Sequence, residues 1–174
     1  GYILGKSYLD FRYLEHSKYS LPVVKTKDFV YSGFNMGAGE NGLFEIFSTI
    51  YAAGNGALLV LDEVELGLHV EAQKRFVERL KDVCLEQHTQ VICTTHSRDI
   101  FDCLPNDARF YVESINNKTR VTQGISSEFA FAKRLMMKVC CANAAYQQPS
   151  HHGHHCQKRT RFTHPAIRTW MRSG

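Results

Sequence analysis

Two adjacent carboxylates, Asp62 and Glu63, directly follow four apolar residues, Leu58-Leu59-Val60-Leu61. Such a run reads as a buried parallel strand, and open α/β sheets gather their ligands at the C-terminal ends of strands. There Asp62 could hold Mg²⁺, directly or through water. Glu63 could orient or deprotonate a water that attacks a phosphate. A second strand, Gln90–Thr95, runs into Thr94-Thr95-His96-Ser97, whose imidazole could hydrogen-bond a terminal phosphate oxygen or the attacking water. Ahead of both lies Met36-Gly37-Ala38-Gly39-Glu40, a small-residue loop that lets backbone N–H groups approach an anion at a helix N-terminus. Between them is a tight turn, Glu65-Leu66-Gly67-Leu68-His69. Taken singly, each piece also has a plain explanation. These are a loop with a left-handed glycine, a solvated strand end, a turn for which Gly67 suffices, and a structural histidine.

The elements that must position these residues follow from periodicity. Leu43, Phe44, Ile46, Phe47, Ile50 and Tyr51 mark a helix after the small-residue loop, ended by Gly54-Asn55-Gly56. A strand spans 57–61. A second amphipathic helix runs from Val70 to about Gln87, with Phe76, Val77, Leu80 and Cys84 as its apolar stripe. Ser97 is placed to N-cap a short helix through Ile100 and Phe101. Arg109–Ser114 and Lys118–Gln123 flank Ile115-Asn116-Asn117 as a hairpin, and Ser126 or Ser127 starts a last helix through Phe131 and Leu135. Residues 1–30 are mixed, with β-prone stretches at Tyr2-Ile3-Leu4 and Phe29-Val30-Tyr31. The strand–helix–strand–helix order predicts an α/β fold, a parallel sheet flanked by helices with right-handed crossovers. After about Met137 no steady periodicity remains.

A chain of 174 residues fits one domain with a sizeable core. No apolar run is long enough to span a membrane, and the first residues do not read as a signal peptide. Cys84, Cys93 and Cys103 fall in apolar patterns without paired spacing, as reduced core residues of a cytoplasmic protein do. The net charge of +4 hides a split. Residues 1–128 hold 13 Lys and Arg against 17 Asp and Glu, whereas residues 129–174 hold 8 basic residues and no acidic one. Basic character thus belongs to the tail, which argues against a body that binds nucleic acid in general.

The four pieces in this order resemble the C-terminal part of an ABC-type ATPase head, over residues 28–136. Asp62-Glu63 is similar to the Walker B strand end, Glu65–His69 to the D-loop, His96 to the switch histidine, and Met36–Glu40 to the signature loop. The run Asp62-Glu63-Val64-Glu65-Leu66-Gly67-Leu68-His69 is closer to SMC-like and OLD-like ATPases of the AAA kind than to transporter subunits. The resemblance implies a partial P-loop NTPase fold and an ATPase that forms a homodimer through its heads, with ATP between one head's phosphate loop and the other's signature loop. It implies Asp62 as the Mg²⁺ residue, Glu63 and His96 as catalytic residues, and Gly37, Ala38, Gly39, Glu40, Glu65 and His69 at the nucleotide. In OLD-like proteins the ATPase drives or gates a nuclease, often in defence against phage, so a nuclease partner or domain, and DNA, are implied; a membrane is not.

Three departures qualify the resemblance. A phosphate loop needs Gly-x-x-x-x-Gly-Lys-Ser/Thr between a strand and a helix. Gly1-Tyr2-Ile3-Leu4-Gly5-Lys6-Ser7 is one residue short and stands too near the signature loop, so it reads as a decoy. The true loop is expected upstream, and this chain alone is expected to be nearly inactive. Gly37 stands where the signature has Ser, which removes one hydroxyl donor. Finally, no Asp or Glu follows Glu128, so a Toprim nuclease site is excluded from this chain, and the break near Met137 reads as a frame change, truncation or unrelated extension.

Residues 1–137 are therefore taken as the ATPase-core part and 138–174 as a basic, His- and Cys-containing tail. His151, His152, His154, His155 and Cys156, with Cys140 and Cys141, could ligate Zn²⁺ or Ni²⁺. Lys158, Arg159, Arg161, Arg168 and Arg172, with Phe162 and Trp170, could touch nucleic acid. An unstructured basic tail is the preferred reading. For the whole, the expected function is an ATPase module that couples nucleotide state to action on DNA or a nuclease. The alternative is a non-catalytic head that dimerises or binds a partner. A transporter subunit comes third, disfavoured by the Glu65–His69 turn.

Overall fold

The computed structural model describes residues 1–132 with their side chains and the backbone of 138–142. The chain opens with three antiparallel strands in the order β1-β2-β3: Asp10–His16, Tyr19–Lys25 and Val30–Ser32. Phe11 opposes Val24 and His16 opposes Tyr19 across the β1–β2 hairpin. Tyr2–Leu4, expected to be β-prone, forms a turn instead. A short 3₁₀ turn, Gly33–Asn35, leads to α1, Ala38–Ala53.

Helix α1 joins the two halves of the molecule. Leu43, Phe44, Phe47, Ile50 and Tyr51 are buried, as their spacing predicts. Phe44 stacks on Phe11 of β1 with ring centroids 4.7 Å apart, and Phe47 meets Phe76 of the next helix edge-on at 6.0 Å. Gly54 ends α1 with a positive φ of 76°.

Strand β4, Leu58–Leu61, pairs in parallel with β5, Gln90–Thr95, and α2, Val70–Glu86, forms the crossover. Phe76, Val77, Leu80, Val83 and Cys84 of α2 are buried. The helix ends on a left-handed His88, with the Thr89 N–H donating to the Cys84 carbonyl at 2.9 Å and the His88 N–H to Leu85 at 3.4 Å. This pair of bonds is a Schellman closure in which His replaces the usual Gly. Cys84 and Cys93 are buried free thiols, and burial, with Cys93 beside it, pushes the Cys84 thiol up to about 11. Helix α3, Arg98–Asp102, is N-capped by the Ser97 side chain as expected. Strands β6, Arg109–Ile115, and β7, Lys118–Gln123, form the predicted hairpin, turned by left-handed Asn116 and Asn117. Helix α4 covers Ser127–Ala132.

The α/β fold with parallel β4 and β5, flanking helices and a hairpin is as read from the sequence, and two details within it differ. The large sheet is mixed, in the order β4-β5-β8-β6-β7. Strand β8, Lys138–Ala142, lies antiparallel between β5 and β6, so the sheet continues into the segment read as tail. Nor is β4 buried on both faces. Among the described residues it is an edge strand with β5 as its one neighbour, and Leu58 and Val60 are 58% and 70% exposed, while Leu59 and Leu61 pack against the core. The expectations on His151, His152, His154, His155 and Cys156, on Lys158, Arg159, Phe162 and Trp170, and on helix residue Leu135 lie outside the described residues.

Candidate functional site

The C-terminal ends of β4 and β5 sit side by side, because Leu61 pairs with Cys93 and β5 runs on only to Thr95. Thr94 ties the ends to each other. Its hydroxyl donates to Asp62 Oδ1 and accepts from the Glu63 N–H at 2.8 Å, and its carbonyl accepts from the Val64 N–H at 3.2 Å. One threonine thus holds both acidic residues through β5. Glu63 sits at φ 46°, a left-handed conformation that is uncommon and costly for a residue with a side chain. The kink swings its side chain toward β5, where Glu63 Oε1 lies 3.6 Å from His96 Nε2. Both groups are open to solvent, with side chains 44% and 58% exposed.

The turn that follows is tied at three points. Glu65 Oε2 accepts from Thr95 Oγ1 at 2.6 Å, and Glu65 Oε1 accepts from the His96 N–H at 2.5 Å. Leu68 offers its carbonyl to Gln73 Nε2 at 2.8 Å, while Gln73 Oε1 accepts from the Ser97 hydroxyl at 2.5 Å. His69 N-caps α2, its Nδ1 accepting from the Ala72 N–H at 3.2 Å. Gly67 has φ 73° and lies backbone-to-backbone against Gly39. A Cβ on Gly39 would stand 2.2 Å from the Gly67 carbonyl oxygen, and one on Gly67 would stand 2.3 Å from the Gly39 nitrogen. Neither position admits another residue without moving backbone.

That contact brings the small-residue loop to the same end of the strands. Gly37 is the N-cap of α1, and Gly37 and Ala38 are exposed while Gly39 and Glu40 are buried. The free N–H groups of the first helical turn favour an anion there. A Cβ on Gly37 would meet nothing within 4 Å, so a serine fits at this position.

Glu40 points the other way. Its carboxylate is 6% exposed and accepts from Lys6 Nζ at 2.8 Å on Oε2, and from Tyr8 at 2.5 Å and Tyr31 at 2.7 Å on Oε1. Burial by itself would raise this carboxyl, but the bonds from Lys6, Tyr8 and Tyr31 outweigh it and hold Glu40 below its ordinary value. Burial and Glu40 in turn push the Tyr8 phenol up. Lys6 is thereby engaged, and Ser7 leads into β1 rather than a helix, unlike a phosphate loop.

Of the residues singled out from sequence, the fold brings Asp62, Glu63, Glu65, His69 and His96 to one sheet end, with Gly37, Ala38 and Gly39 joined through Gly67. Both carboxylate oxygens of Glu40 and of Glu65, and Nδ1 of His69, are taken up by bonds within the protein. Sequence reasoning missed the work of Thr94, Gln73, Tyr8 and Tyr31. Only the position of Thr94 before the histidine offered a signal.

Two comparisons with known proteins cover this part of the chain. The family described as "AAA domain, putative AbiEii toxin, Type IV TA system" has a model that matches residues 26–102. That span runs from before the small-residue loop to the end of α3. A solved structure from work on the ATP-driven dimerization and DNA-stimulated activation of SMC ATPases aligns with 71% of this chain and 77% of its own, at 17% identity and a TM-score of 0.52. No curated protein matches the chain. The structural likeness shows an α/β fold of the P-loop NTPase kind, and the similarities support a core related to the ABC and AAA ATPases.

Proposed function

We propose that this chain carries the C-terminal half of an ATP-hydrolysing site. The observation that supports it best is the convergence at one sheet end. Asp62, Glu63 and His96 gather there around Thr94, and Gly67 carries the exposed helix start at Gly37 and Ala38 to the same end.

The donor set suits Mg²⁺–ATP. Asp62 is an exposed carboxylate whose Oδ1 is aimed by Thr94, the kind of hard oxygen ligand that Mg²⁺ takes directly or through water. Bound Mg²⁺ would offset phosphate charge as the terminal phosphoryl group leaves. Glu63 would accept the proton of the attacking water, within reach of the solvent its 44% exposure admits. His96 would donate from Nε2 to a terminal phosphate oxygen beside Glu63. The N–H groups after Gly37 would bind phosphate carried by a second copy, so a homodimer of heads completes each site. We assign the phosphate loop itself to a segment outside these residues. The exposed Leu58 and Val60 of edge strand β4 support a further element packing there. The wider role would be to couple nucleotide state to DNA or to a nuclease, in phage defence, in the cytoplasm. Among the described residues no helix is long and apolar enough to cross a membrane.

One observation favours a second reading, a head that dimerises or binds a partner without turnover. The lysine of the loop-like segment, Lys6, is held by Glu40. The two readings part on one experiment. In the full-length protein, Glu63→Gln should lower ATP hydrolysis by about 10²–10⁴-fold, the usual worth of a general base, and trap ATP-bound dimers. Equal rates in the two proteins would remove Glu63 from catalysis and leave the interaction head.

A further inference from the structure

We propose that Cys93 and Cys140 are an oxidisable pair, a thiol–disulfide modification site that fastens β8 into the large sheet. The two residues are direct partners in the antiparallel β5–β8 register, flanked by Ile92 opposite Cys141 and Thr94 opposite Val139. Opposed residues of an antiparallel pair stand about 4.5–5.5 Å apart between Cα atoms. A disulfide spans roughly 4.4–6.8 Å between the same atoms, so backbone placement meets its first requirement. Spacing along the chain gives no hint of this, because β5 and β8 lie far apart in sequence.

The place of the pair gives the bond a consequence. Strand β8 is the joint between β4-β5 and β6-β7, and Cys140 also opposes Arg109 of β6. A Cys93–Cys140 bond closes that joint covalently, one residue before Thr94, which holds Asp62 and Glu63. Cys84 of α2 is a competing thiol. It is buried in the same core as Cys93, near enough for Cys93 to disfavour its ionisation. It lies on a helix, however, outside the strand register.

The oxidant would be a small-molecule disulfide of the glutathione kind. Cys93 is 6% exposed, too little to meet such a molecule, so the first exchange falls to Cys140. The Cys140 thiolate attacks one glutathione sulfur, breaks the S–S bond and releases one glutathione. The Cys93 thiolate then attacks the Cys140 sulfur of the mixed disulfide, and the second glutathione leaves. One protein disulfide forms, one glutathione disulfide is reduced, and the two cysteine protons end on the two glutathione thiols. Under reducing conditions the reverse exchange restores the thiols, the behaviour of a sensing bond rather than a permanent one. The bond does not rest on the ATPase reading.

The test is oxidation of the folded full chain with glutathione disulfide, then digestion without reduction and mass spectrometry. A Cys93–Cys140 cross-link is expected in wild type, in Cys84→Ser and in Cys141→Ser, and should be absent from Cys93→Ala and Cys140→Ser. Oxidised wild type and oxidised Cys84→Ser should melt roughly 5–15 °C above their reduced forms, and oxidised Cys140→Ser should not. Amide hydrogen exchange along β5 and β6 should slow on oxidation in the first two alone. A bond from Cys93 to Cys84 or Cys141, glutathione left on Cys140 without a cross-link, links between chains only, or no link at all would each overturn the pair. Should Cys93→Ala fail to fold, Cys140→Ser, which changes β8 alone, decides.

Discussion

Glu40 and Glu63 are the same residue in opposite situations. Glu40 is buried under Lys6, Tyr8 and Tyr31, with every carboxylate oxygen engaged, in relaxed helical backbone. Glu63 is open to water, holds a left-handed backbone, and has His96 at 3.6 Å as its side-chain neighbour. The first carboxylate stabilises; the second is kept available at the expense of backbone strain. The contrast shows where this fold spends its stability and where it withholds it, the pattern expected if Glu63 serves the proposed site.

The contrast can be broken most directly by truncation. Glu40→Ala should cost about 2–4 kcal/mol in urea unfolding, because two phenols and an ammonium lose their acceptor at a buried site. Glu63→Ala should stay within about 0.5 kcal/mol of wild type. Equal losses would mean that the two carboxylates do not differ as described.

Acid sharpens it next. The Glu40 carboxyl titrates lower in the folded chain than in the unfolded one. The unfolded state therefore takes up the proton first on acidification. The Glu40 contribution is complete above the ordinary carboxylate range and is lost as pH falls through the depressed folded value. The urea midpoint of wild type should fall across that window. That of Glu40→Gln should start lower and fall less, and parallel curves would refute the assignment.

The smallest effect concerns strain. Glu63→Gly should gain about 0.5–1 kcal/mol, since relief of the left-handed conformation exceeds the added chain entropy. His88→Gly, at the end of α2, should gain a similar amount without touching the site. A loss at Glu63 alongside a gain at His88 would show that the Glu63 side chain contributes stability after all.

How much of this was legible beforehand depends on distance along the chain. Helices α1 and α2 were readable because Phe44, Phe47, Phe76 and Leu80 recur at helical spacing. The β6–β7 hairpin was readable from Asn116-Asn117. The β1–β2 hairpin was not, because its turn places Ser17 at φ 55° and carries no Gly or Asn to announce it. Strand β8 was hidden because Lys138–Ala142 follows a break in periodicity and pairs with strands distant in sequence. Strand β4 was read as buried because an apolar run does not reveal whether both faces find cover. At the site, Asp62, Glu63 and His96 could be picked out by their place at strand ends, whereas Glu40 was grouped with the loop it follows.

Local order along the chain, then, determined the kinds of residue available: two acids after one strand, a histidine after the next, glycines in a loop and in a turn. Those are local facts, set by residue type, spacing and periodicity. Tertiary structure alone decided which polar groups are spent and which are free. That outcome depends on partners brought from afar, Lys6 and Tyr8 to Glu40, Thr95 to Glu65, and Gly67 to Gly39. A carboxylate's role follows from what fills its lone pairs, and that is a property of the packed molecule.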